Sequence, residues 1–147
     1  MEEKYKALAA YLESAIGIVS QMGLKVVDMK ERYVQLLMPL EKNINHVGTM
    51  YAGSLFTLGE IMGGAIFVAS MDINKYFPLV KEVQIRYRRP ATTDITVETS
   101  FSEDQIRNIV AVLEEKGKSD VPLELNLIDA HGEVVSIVTG TWQVRKK

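Results

Sequence analysis

The chain contains no cysteine, which excludes disulfides, thiolate metal sites and a cysteine nucleophile together. It also has no surplus of positive charge. Its 17 Lys and Arg residues stand against 19 Asp and Glu, with a pI near 5.7, so no global field exists to hold nucleic acid or an anionic membrane, and an anionic ligand has to meet a local patch. The two histidines, His46 and His131, are not at metal-ligand spacing, and His131 before Gly132 reads as a turn residue. No Ser-His-Asp arrangement, phosphate-binding loop, internal repeat or low-complexity segment is present. The opening MEEKYKALAAYLESAIG is acidic and amphipathic, without the basic and apolar regions of a secretory signal. The expected location is therefore the cytoplasm, whose reducing conditions suit a chain without cysteine. A length of 147 residues predicts one domain, residues 1–147, with a real core.

What is present alternates between two periods. Tyr5, Leu8, Ala9, Leu12 and Ile16 recur at helical spacing until Gly17, predicting an amphipathic helix that covers a sheet edge. LKVVDMK and YVQLLMPL read as strands, the second ending near Pro39. A polar loop follows, with Gly48 or Thr49 as the expected N-cap of a long apolar helix ending near Asp72–Asn74. In LVKEVQIRYRRP, Val83, Ile85 and Tyr87 alternate with Gln84, Arg86 and Arg88, and DITVETSF is the next strand. Ser102 and Gln105 form a capping box before the stripe Ile106, Ile109, Val110 and Leu113, and Gly117 closes that helix. PLELNLID and EVVSIVTGTWQVR complete the pattern as a hairpin. The predicted class is α+β: an antiparallel sheet of about six strands curled round one long helix, with one helix at the N-terminus and another between the fourth and fifth strands.

The long helix poses the chemical question. From Asn43 to Met71 the only fixed charge is the carboxylate of Glu60, and a carboxylate in apolar surroundings must be paired, protonated or placed beside a cavity that uses it. A membrane span is disfavoured. Glu60 would sit near the bilayer centre, and the flanking Glu41, Lys42 and Asp72 show no positive bias. The bland alternative pairs Glu60 with Arg86 or Lys81, while Gly53, Gly59, Gly63 and Gly64 serve only close packing.

NHVGTMYAGSLFTLGE, Asn45 to Glu60, and YRRPA, Tyr87 to Ala91, resemble small hotdog-fold acyl-CoA thioesterases of the phenylacetate and hydroxybenzoyl types, and the order of elements agrees over nearly the whole chain. The resemblance implies a hotdog fold and acyl-CoA or similar thioester hydrolysis without metal or redox cofactor, coenzyme A being part of the substrate. It assigns Glu60 as the catalytic acid, the helix N-terminus at Ala52 and Gly53 as oxyanion donor, and Asn45 as the residue that orients substrate or water. Two departures stand in the motif, Tyr51 for the usual His and Ala52 for the first Gly, and a third lies one turn beyond it, where Gly64 replaces the hydroxyl that some relatives carry. Tyr51 and Ala52 motivate a rival reading, a catalytically silent acyl-CoA-binding protein. A hydratase is a third reading, opposed by the lack of a His partnering an acid at the helix start.

The residues support the chemistry independently. Free N–H groups at Ala52 and Gly53 suit a developing oxyanion, and Glu60 can attack or activate water. Thr57, three residues earlier on the same face, is within reach of its carboxylate. Tyr51 lies beside this turn, and Arg86, Arg88 and Arg89 are candidates for coenzyme phosphates or simply a solvated strand face. Seven residues separate Gly53 from Glu60, about 10 Å along a helix. One thioester carbon cannot reach both ends, so a homodimer with shared sites is implied, alone or as a dimer of dimers.

Overall fold

The computed structural model describes residues 1–147. The N-terminal helix α1 spans Glu3–Ser14 and buries Tyr5 and Ala9 against the sheet at β1, Lys25–Lys30. Between them lies a short second helix, α2, Gly17–Met22, which ends on Gly23 at φ 79°. Its single buried residue, Val19, is too little to give a readable period. Strand β2, Tyr33–Met38, stops before Pro39 as expected.

The long apolar helix α3 covers Ala52–Val68, and its N-cap is Tyr51 rather than Gly48 or Thr49. The preceding loop explains the later start. Asn45 Oδ1 accepts the N–H groups of Val47 and Thr49, Gly48 takes φ 87°, and the amides of Met50 and Tyr51 donate to Ala91 and Asn43 carbonyls. The helix also ends earlier than Asp72–Asn74, because the Ala69 carbonyl accepts the Arg32 amide and Asp72 starts a turn by capping Asn74 N–H.

The remaining elements are β3, Tyr76–Tyr87, β4, Ile95–Ser100, α4, Glu103–Lys116, β5, Lys118–Ile128, and β6, Val134–Lys146. They complete one six-stranded sheet of order β1-β2-β4-β5-β6-β3 in which every neighbouring pair is antiparallel. β3 and β5 begin earlier than their local patterns predict, since both pair with β6 along its length. Pro78 is tolerated because β3 is an edge strand, and Pro122 because β4 meets β5 only at Thr96 and Ile128.

The sheet wraps α3. Leu58, Met62, Ala65 and Ile66 are fully buried among Leu36, Val97, Leu125, Val138 and Trp142, each large side chain contributing about 1.5–3 kcal/mol. The helix lies directly on β6. A Cβ at Gly59 would fall 2.5 Å from Val138 and one at Gly63 1.9 Å from the Trp142 indole, so the packing reading holds for these two glycines. No helix is long and apolar enough to cross a membrane.

Candidate active site

Glu60 answers its own question. It has no ion pair and no side-chain hydrogen bond in the chain: Lys81 pairs with Asp120 instead, at 2.9 Å, and Arg86 forms no ion pair. The half-buried carboxylate lines a cavity of about 460 Å³ together with α1, the Phe77–Val80 segment of β3, and Trp142. It is the one charged residue there, and burial pushes its carboxyl above the ordinary carboxylate range. Trp142 Nε1 donates to the Glu60 backbone carbonyl at 3.2 Å, which ties this turn of α3 to the sheet.

The other candidates gather at the N-terminal end of α3. The amides of Ala52 and Gly53 have no acceptor in the chain, whereas those of Ser54 and Leu55 return to the Tyr51 carbonyl. Asn45, Ala52, Tyr87, Arg88 and Arg89 line a second pocket of about 360 Å³, which shares no residue with the Glu60 cavity. Arg88 has no carboxylate partner, while Arg89 is paired with Glu133 at 3.1 Å. Arg86, still inside β3, does not line this pocket.

Three candidate side chains make defined contacts within the chain. Thr57 Oγ1 donates to the Gly53 carbonyl at 2.8 Å rather than to Glu60, the usual back-bond of a helical threonine. Asn45 spends its amide on the loop: besides the two contacts of Oδ1, Nδ2 donates to Thr49 Oγ1 at 2.9 Å. The Tyr51 ring lies over Gly53, with Cε2 2.4 Å from where a Cβ would stand. A larger residue at 53 would displace the ring.

Two positioning residues carry no signal in sequence spacing. Buried Asn43 donates to the Met22 and Pro39 carbonyls at 2.9 and 2.7 Å and accepts from Ser54 Oγ at 2.8 Å. It thereby locks the ends of α2 and β2 to the first turn of α3. The Tyr87 hydroxyl donates to the Ala52 carbonyl at 2.8 Å, and burial followed by the neighbouring Tyr51 pushes its phenol upward. His131 sits in the expected turn, where Asp129 Oδ1 accepts its amide and Gly132 takes φ 83°.

Comparison with known proteins gives this geometry a family. The model of the family described as "Putative thioesterase (yiiD_Cterm)" matches residues 5–146. A Pseudomonas aeruginosa structure described as a protein of unknown function, "Probable Thioesterase", is 40% identical over 97% of this chain and 96% of its own, with TM-score 0.92. A Shewanella oneidensis structure described as a "putative thioesterase" is 23% identical over 97% of this chain and 98% of its own, TM-score 0.82. A Haemophilus influenzae thioesterase shares the fold at 12% identity and TM-score 0.73, covering 96% of this chain and 90% of its own. No curated protein matches. The chain therefore belongs to this thioesterase family and carries the hotdog fold that its sequence resembles.

Proposed function

We propose that the protein hydrolyses an acyl-CoA or closely related acyl thioester, with Glu60 as nucleophile or general base. The observation that carries this reading is an unpaired carboxylate, raised by burial, as the one charge in an apolar cavity. As a base, Glu60 removes a proton from water while the water oxygen attacks the carbonyl carbon. The carbonyl oxygen takes up negative charge, then the carbon–sulfur bond breaks and the thiolate leaves with a proton. As a nucleophile, the Glu60 carboxylate attacks the carbonyl carbon and the carbon–sulfur bond breaks to expel the thiolate, leaving a mixed anhydride that water opens to the free acid and the regenerated carboxylate. Neither route draws on a metal or redox cofactor.

The Ala52 and Gly53 amides are the oxyanion donors in this reading. Ala52 lines a different pocket of the same protomer from Glu60, and Gly53 is its neighbour in the first turn, so the acid of one subunit serves the amide end of another, in a dimer or a dimer of dimers. The unpaired β3 edge supports such an assembly: it exposes Leu79 and Val80, each 46% accessible, where a partner can cover the Glu60 cavity. Asn45 acts by shaping the loop that presents these amides, Tyr51 and Thr57 by setting their turn. Arg88, with Arg86 and Arg89 beside it, meets coenzyme phosphate.

Release of free thiol from a panel of acyl-CoAs tests the reading, with Glu60→Gln as the inactive control. A second reading is favoured by one feature, the Tyr51 ring packed over Gly53: an acyl-CoA-binding protein without turnover. Tight binding of the same panel with no thiol released would select it.

A further inference from the structure

Helix α3 contains four glycines, and their surroundings differ. A Cβ at Gly53, Gly59 or Gly63 would collide with Tyr51, Val138 or Trp142, at 2.4, 2.5 and 1.9 Å. Gly64 is the exception. A Cβ there would meet only Pro78 Cγ, at an ordinary 3.8 Å, so packing does not require glycine at a position where it weakens the helix. Gly64 stands four residues after Glu60, on the same face, and both line the one cavity. What the absent side chain leaves is open space one helical turn from the carboxylate.

We propose that Gly64 determines acyl specificity by making room for a branch on the carbon next to the thioester carbonyl, so that the substrates are α-branched acyl thioesters. The inference rests on Glu60 being the reacting acid, because that places the carbonyl carbon beside Glu60 and its first substituents beside Gly64. A straight chain does not need this space; a branch at the first carbon does. Pro78 of β3 lies against the Gly64 position, and Leu12 of α1 and Ile16, which caps α2, also line the cavity.

The test compares thiol release from isobutyryl-CoA and butyryl-CoA by the full-length parent, Gly64→Ala and Gly64→Val. The Gly64→Val variant should lose about tenfold or more in kcat/KM for the branched substrate relative to the straight one, and Gly64→Ala should move the ratio the same way by less. Thermal unfolding keeps folding separate, since Gly64→Ala fills open space on a helix and should raise Tm by about 2–4 °C. An unchanged ratio, or an equal fall for both substrates, overturns the role of Gly64 while leaving hydrolysis by Glu60 intact. If the parent releases no thiol from any acyl-CoA, the hydrolase reading fails separately. The same ratio is then read from the dissociation constants of the two acyl-CoAs, where an unchanged value again overturns the inference.

Discussion

The carboxylate of Glu60 is costly to keep where it is, and its removal has opposite effects on stability and rate. Because burial raises its pKa in the fold, the folded state binds more protons than the unfolded state once pH exceeds the ordinary Glu value. Stability then falls as pH rises through that window and stays lower above the folded pKa. Glu60→Gln should therefore raise Tm at neutral pH and not below pH 4, in thermal scans at both. Thiol release by the same variant should fall by at least about 10²-fold, and parent activity should increase with pH through a pKa above the normal carboxylate range. At the other end of α3, Arg88→Ala should raise KM and flatten its salt dependence with kcat nearly unchanged, measured between low and physiological salt. Glu60 was legible in the sequence because one charge among apolar residues must be explained. The Thr57 hydroxyl was not legible in the same way, since spacing shows that Glu60 is near but not that the Gly53 carbonyl is nearer.

Elements that carry their own signals match their sequence reading closely. The box between Ser102 and Gln105 forms as both hydrogen bonds, Gly117 closes α4 at φ 78°, and Ile109 and Leu113 are its buried stripe. Ser102→Ala should accordingly cost about 1 kcal/mol, within a usual range of about 0.5–2, seen as a Tm lowered by about 2–4 °C. Boundaries set by distant partners were not legible. β3 and β5 gain their first residues from pairing with β6, and α3 starts late because the amides of Met50 and Tyr51 are committed to Ala91 and Asn43. The two adjacent glycines of α3 show the same contrast. Gly63→Ala drives a methyl into the Trp142 ring and should cost about 1–3 kcal/mol or more by chemical denaturation, the opposite sign from its neighbour Gly64.

At the scale of the molecule, the decisive fact is that the N-terminal turn of α3 and the Glu60 carboxylate at its middle open into separate pockets. Sequence spacing anticipated this, because seven residues of helix fix a separation whatever the side chains do. Under the proposed function the site is completed by a second copy, and subunit complementation measures this directly. Glu60→Ala removes the acid, and Asn45→Ala releases the loop that presents the Ala52 and Gly53 amides, so each homodimer should be nearly inactive. In a hybrid dimer one site combines the intact Glu60 with the intact loop, while the other site collects both lesions. Random pairing of equal amounts makes about half the dimers hybrid, so thiol release should recover to about a quarter of the parent rate. If hybrids form, shown by mass spectrometry of the native dimers, and no activity returns, both groups act within one subunit and the shared-site account is wrong.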